Sequence, residues 1–292
     1  MPDDQKIIEV LEAREGRRAS RRDMFRGFAA ASAAAGGFVL ANKSSPVAAQ
    51  SVSDGDILNF ALNLEYLEAQ FYVYAASGAG LPESLLSGTG TRGQATGGRR
   101  VNFTDPAVAA YAREIAADEQ AHVAFLRGAL GSAAVAQPAI DISANPNGAF
   151  STAARAAGLI GPGQSFDPYA SDENFLLAAY IFEDVGVTAY KGASPLVSNK
   201  TFLEAAAGIL AVEAYHASLV RTTLYAKGMQ TPALIDASIA ISNARDSLDG
   251  SSDLDQAACD GMTRYARYEP ALNAAGNPIQ DTVSTTIVYR LN

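Results

Sequence analysis

The 292-residue chain has one cysteine, two histidines and no tryptophan. A single cysteine cannot close a disulfide within the chain or build a cysteine-ligated zinc or iron–sulfur site. Two histidines are too few for a three-histidine zinc site. Basic charge is also short: 22 Lys and Arg stand against 31 Asp and Glu, a net charge of −9. Binding a phosphate backbone needs a basic surface, so nucleic acid is excluded as a partner. With 48% hydrophobic and 18% charged residues, the composition is that of a globular chain rather than a disordered one.

Long apolar runs are scarce too. The clearest is Phe28–Ala41 (FAAASAAAGGFVLA), 14 residues, where a membrane-spanning helix needs roughly 20. Arg21-Arg22 precede it, and Val47-Ala48-Ala49 supply small residues after it. Charged region, short apolar region and small-residue cleavage site are the parts of an export signal. The paired arginines and the Gly-containing apolar region make it resemble a twin-arginine (Tat) leader. That resemblance implies export of an already folded protein, often with its cofactor inserted. Residues 1–49 are therefore expected to be removed near Ala49, leaving a periplasmic or secreted protein. They hold eight basic and six acidic side chains, so 14 basic and 25 acidic remain, a net −11. No further stretch reads as long and apolar enough to cross a membrane, and no stable membrane insertion is expected after cleavage.

From Ser53 onward the apolar spacing is helical. Leu58, Leu62, Glu65, Ala69 and Tyr72 form one stripe in Asp56–Ala76, with Ser53 or Asp54 as cap and Gly78 beyond the end. A second helix starts at Asp105-Pro106 and carries Val108, Ala112, Ile115, Glu119, His122 and Leu126, ending at Gly131. A third starts at Ser171-Asp172 with Leu176, Ala179, Glu183, Gly186 and Tyr190, stopped by Gly192 and Pro195. A fourth starts at Asn199 with Phe202, Ala206, Ile209, Glu213, His216 and Val220, ending at Lys227-Gly228. Each stripe is the inward seam of a bundle helix, yet each carries a carboxylate. Burying a lone carboxylate is costly, so four of them require a compensating partner.

The connections differ in length. Gly78–Thr104 and Ser132–Ala170 are long loops, the second with a short helix at AFSTAARAAGL. The tight turn between the third and fourth helices predicts antiparallel neighbours. The organisation is a leader (1–49), an all-α four-helix bundle with long inter-helix loops (50–228), and a C-terminal extension packed on or near the bundle (229–292). The extension carries a helix at Pro232–Leu248 and an otherwise irregular run to a β-favouring end, STTIVYRL.

Both histidines stand three residues after a glutamate: Glu119-Gln-Ala-His122 and Glu213-Ala-Tyr-His216. Residues at i and i+3 share a helix face, so each pair can point at one ion. With 13 Glu in the chain, both histidines would stand so by chance about two times in a thousand. The first and third helices supply single carboxylates, Glu65 and Glu183, each followed at +7 by a tyrosine (Tyr72, Tyr190). The chain is thus two copies of one unit, a Glu helix followed by a Glu-x-x-His helix, which is the donor set of a di-metal carboxylate bundle. Four carboxylates and two neutral imidazoles balance two divalent ions, and hard oxygen donors with a few nitrogens suit iron or manganese. Glu68 also faces inward, one turn after Glu65. Glu65 is preferred because it pairs with Glu183 in the repeat, whereas the counterpart of Glu68 is Gly186.

These residues, and LNFALNLEYLEAQFY in particular, resemble the ferritin-like superfamily, within it the Tat-exported family that includes desiccation-related proteins. The resemblance covers roughly Asp56–Lys227. It implies that Glu65, Glu119 and His122 ligate one half of a site and that Glu183, Glu213 and His216 ligate the other, with Glu119 and Glu213 bridging. It also implies two Fe or Mn ions acting on a small-molecule oxidant or a metal ion, as a peroxidase, catalase or ferroxidase would. A non-enzymatic envelope or desiccation-stress protein, its metal structural or absent, is the alternative, and a homo-oligomer stays open. Tyr72 and Tyr190 are core fillers or donors to the site, and Asp118 and Asp184 are candidates to hydrogen-bond an imidazole. Cys259 and the Gly88–Gly98 loop carry no further signal.

Overall fold

The computed structural model describes residues 52–249. The expected leader, Cys259 and the STTIVYRL end lie outside the described residues. Six helices form among them: α1 (Asp54–Ser77), α2 (Pro106–Leu130), α3 (Ala149–Ala156), α4 (Asp172–Ala193), α5 (Lys200–Gly228) and α6 (Ala233–Asp249).

The four long bundle helices start where their caps place them. Ser53 accepts from the Asp56 backbone while the Asp56 side chain accepts from the Ser53 backbone, closing a capping box on α1. Asp105, Ser171 and Asn199 cap α2, α4 and α5 through their side chains. Gly78 ends α1 in the left-handed conformation at φ +86, which glycine adopts without penalty.

Two first-turn aspartates also tie the helix pairs together. Asp54 accepts from the backbone of Ser198 and Asn199, joining the start of α1 to the start of α5. Asp172 accepts from the backbone of Thr104 and Asp105, joining the start of α4 to the start of α2. These are the same contact twice, because Asp172 lies 118 positions after Asp54 and Ser198 lies 94 after Thr104. Within each pair the helices pack closely, α1 on α2 and α4 on α5, and these aspartates set the two pairs face to face. The result is an all-α four-helix bundle.

Between the pairs lies a core of Leu62, Tyr66, Phe71, Tyr72, Ile115, Phe175 and Leu176, all essentially without solvent contact. Phe71 sits against Phe150, Tyr169, Phe175 and Phe182, at ring-centroid distances of 5.2–5.6 Å. The short α3 therefore seals the bundle beside Tyr72, whose ring centroid lies 5.0 Å from that of Phe71. The two long loops pair with each other through a parallel ladder, β1 (Ala95–Thr96) with β2 (Ile140–Asp141).

α6 joins the core through Leu234 and Ile241 and turns back sharply after α5. A side chain at Gly228 would stand 2.4 Å from Ile235, so only glycine allows that approach. Asp184 on α4, nearly buried, accepts from Arg221 on α5 (2.5 and 2.9 Å) and Arg245 on α6 (2.8 Å). The first pair has the repeat counterpart of this contact in Arg127, which donates to the Tyr66 hydroxyl at 2.5 Å.

One sequence expectation is corrected. By length and composition α5 is apolar enough to cross a membrane. Its low charge reflects a run of alanines and aliphatic residues, and its inward line carries Glu213 and His216, buried against the other helices. It is a bundle helix that passes the same test.

Candidate metal centre

The inward stripes of α1, α2, α4 and α5 bring all six expected donors together in the middle of the bundle. Glu65, Glu119, Glu183, Glu213 and His216 are at most 1% exposed, and His122 is 7% exposed. Two groups form. In one, Glu65, Glu119, His122 and Glu213 each offer a donor atom within 4.8 Å of the others; in the second, Glu119, Glu183 and His216 do the same. Glu119 thus belongs to both, as a bridging carboxylate would. Glu213 gathers with His122 and not with His216 of its own helix, whereas the resemblance implied that it bridges the two halves.

Both imidazoles present Nδ1 to the cluster. His122 Nδ1 lies 3.2 Å from Glu65, 3.3 Å from Glu119 and 3.5 Å from Glu213. His216 Nδ1 lies 3.1 Å from Glu119 and 3.3 Å from Glu183. On its far side, His216 Nε2 lies 3.1 Å from Asp118, whose side chain is 42% exposed. Asp118 therefore fills the role considered for it and fixes which nitrogen faces the cluster. Asp184 does not, since it is committed to Arg221 and Arg245.

The tyrosines donate to the site crosswise. Tyr72 on α1 donates to Glu183 on α4, and Tyr190 on α4 donates to Glu65 on α1. Burial pushes both hydroxyls well above their ordinary pKa, so they stay protonated donors. Each occupies one oxygen of its carboxylate and leaves the other facing the cluster.

Glu68 is 4% exposed and lies outside both donor groups. Burial, then the Glu119 and Glu65 charges, push its pKa well up. Gly186, its repeat counterpart, has a function that sequence reasoning missed. A Cβ there would stand 2.1 Å from Glu213 Oε2, so the bare backbone makes room for that carboxylate. The signal was a glycine in the middle of a helix, at an inward position where it weakens helical preference.

The buried carboxylates are shifted in opposite directions. Burial raises Glu65 to about 8 and Glu183 to about 7. Burial also pushes Glu119 up, but the two imidazoles beside it, His122 and His216, outweigh that and hold the group at about 2. The imidazoles move the opposite way. Burial opposes their charge, yet the contacts with Glu119, Glu65 and Glu183 raise both to about 10.

The donors pass a direct test of fit to metal ions. Among the described residues, five buried side-chain atoms make no hydrogen bond: Glu119 Oε1, Glu183 Oε2, both Glu213 oxygens and His216 Nδ1. Glu119 Oε1 and His216 Nδ1 stand 3.1 Å apart, within ion-pair range, without the angle of a hydrogen bond. Buried polar atoms are ordinarily satisfied, and each orphan costs about 1–3 kcal/mol. That these five all belong to one donor set is what a bound cation explains.

Comparison with known proteins places this arrangement in a family. Residues 53–226 match the ferritin-like domain, a span holding α1, α2, α4, all but the last two residues of α5, and all six donors. The chain is 34% identical over 177 residues to the desiccation-related protein PCC13-62 of Craterostigma plantagineum, covering 59% of this chain and 53% of that protein. It is 29% identical over 177 residues to the ferritin-like catalase Nec2 of Nesocodon mauritianus, covering 59% and 54%. The chain thus spans about half the length of these curated relatives. No solved structure matches it at the same stringency. With most of its length in the matched domain, the chain belongs to the ferritin-like domain family.

Proposed function

We propose that this chain is an exported metalloprotein whose buried cluster holds two iron or manganese ions for redox chemistry on oxygen, peroxide or ferrous ion. The observation that carries the proposal is the convergence of five buried donor atoms that make no hydrogen bond, from Glu119, Glu183, Glu213 and His216. Family membership and the likeness to a protein named a ferritin-like catalase support the redox part. Bound there, such ions supply one-electron redox changes and Lewis acidity. Glu65, Glu119, His122 and Glu213 would hold one ion, and Glu119, Glu183 and His216 the other. The rest of the chain keeps that donor set in place. Tyr72 and Tyr190 orient the outer carboxylates, Asp118 orients His216, and the aromatic layer around Phe71 excludes water.

Elemental analysis of the purified chain should find close to two Fe or Mn per molecule. A chain that stays metal-free after loading overturns the proposal. Export rests on the 1–49 leader. Substituting Arg21-Arg22 by Lys-Lys should block removal of the leader in a host with a twin-arginine pathway; undiminished processing refutes that route.

The 34% identity to a protein named for desiccation favours a second reading. In it the metal is structural or absent and the chain acts as a non-enzymatic stress protein. Peroxide-decomposition and ferrous-oxidation assays on the metal-loaded wild type and Glu119→Ala separate the two. Equal background rates favour the stress protein, whereas activity lost in the variant favours the oxidoreductase.

A further inference from the structure

The repeat of this bundle is close, since the first-turn aspartates, the crosswise tyrosines and the arginine contacts all recur. Beside the donors it breaks where α1 carries Glu68 and α4 carries Gly186. On the α4 side the Glu213 carboxylate lies against bare backbone, its Oε2 only 2.1 Å from where a Cβ would stand. That placement leaves Glu213 Oε1 3.5 Å from His122 Nδ1. On the α1 side a glutamate side chain stands at the equivalent place, and Glu119 lies between the two imidazoles, 3.3 Å from His122 and 3.1 Å from His216.

Given the two-ion reading above, we propose that Gly186 makes the two metal positions unequal by admitting the Glu213 carboxylate to the His122 side of the cluster. The His122 side then gathers three carboxylates and an imidazole; the His216 side gathers two carboxylates and an imidazole, one of the carboxylates shared. For hard divalent ions, affinity rises with the number of anionic oxygen donors. The first ion therefore enters at Glu65, Glu119, His122 and Glu213. The second occupies Glu119, Glu183 and His216 more weakly and is the one that exchanges.

Gly186→Ala separates this role from folding. Alanine is the better helix former, and the atom its methyl meets is the end of a side chain, so the metal-free variant should melt no lower than the wild type. The test is calorimetric titration of the metal-free chain with Mn²⁺ alone, followed by elemental analysis after dialysis. The wild type should show two steps at least tenfold apart in affinity. In Gly186→Ala the tighter step should weaken at least tenfold while the weaker one is unchanged. His216→Ala should lose the weaker step and keep the tighter one. Two equal steps in the wild type, or a wild-type isotherm in Gly186→Ala, overturns the inference and leaves the two-ion centre standing. A wild type that binds no metal overturns the two-ion centre itself.

Discussion

Tyr72 on α1 donates its hydroxyl proton to the Glu183 carboxylate on α4, across the middle of the bundle. The repeat supplies the reverse contact from Tyr190 to Glu65, so each outer carboxylate is held by the opposite helix pair. Replacing either tyrosine by phenylalanine keeps the ring packing and removes the donor. Each variant should bind Mn²⁺ or Fe²⁺ roughly 10–100-fold more weakly, the usual cost of losing a partner of a ligand. An unchanged isotherm in the double variant would show that the hydroxyls do not position the ligands.

Asp118 holds His216 from the solvent side, at 3.1 Å from Nε2. Asp118→Ala frees the ring to turn, so Nδ1 no longer faces Glu119 and Glu183 by default. Metal affinity should drop about tenfold, with thermal stability of the metal-free chain nearly unchanged because Asp118 is partly exposed. Cobalt substitution reads the effect directly, as a change in the visible absorption of the His216-side ion.

Metal-free protein should lose stability as pH rises. Glu183 and Glu65 have folded-state pKa values of about 7 and about 8, above the ordinary 4.5. The folded form therefore holds protons that the unfolded form has released, and stability falls through that range. The imidazoles act with the same sign: their folded values near 10 give stability that is full below 6.5 and lost on the way up. Glu119, held near 2, contributes a constant amount above 4.5. The melting temperature of the metal-free chain should decline steadily from pH 5 to pH 10, and metal loading should flatten the profile. A metal-free chain more stable at pH 9 than at pH 6 contradicts this account of the cluster.

Asp184 joins three helices, because Arg221 on α5 and Arg245 on α6 both pair with it. Asp184→Ala leaves two guanidinium groups facing a void. With those groups 27% and 17% exposed, the cost is about 2–3 kcal/mol, below the range for a fully buried pair. Urea unfolding measures it. Hydrogen exchange should show the loss concentrated in α6 and the adjoining parts of α4 and α5.

The four bundle helices were legible because each carried its own stop and start signals, Ser53 and Gly78 or Asp105-Pro106 and Gly131, around an inward stripe. Their bounds in the structure depart from the sequence reading by at most two residues. The donor residues were legible for a related reason. A carboxylate on an apolar seam contradicts its surroundings, and both histidines repeated the contradiction at the same spacing. What was not legible depends on three-dimensional neighbours. The arginine partners of Asp184 lie 37 and 61 positions away, and no local pattern announces them. The grouping of Glu213 with His122 depends on a missing Cβ on another helix. In the sequence α5 did not read as long and apolar enough to cross a membrane, although by length and composition the helix is.

Glu119 belongs to both donor groups. In polymer terms, ions held there would act as a staple in a chain whose single cysteine cannot form one with itself. The contacts join positions 65 and 213, closing a loop of about 150 residues, a constraint on the order of 4–5 kcal/mol in the chain-entropy account of cross-links. A covalent bridge of that span is permanent once formed, whereas a metal bridge would be removable by a chelator. The redox centre and the clasp between the helix pairs would be the same object, so supplying or withholding metal would set the mechanical integrity of the bundle together with its chemistry.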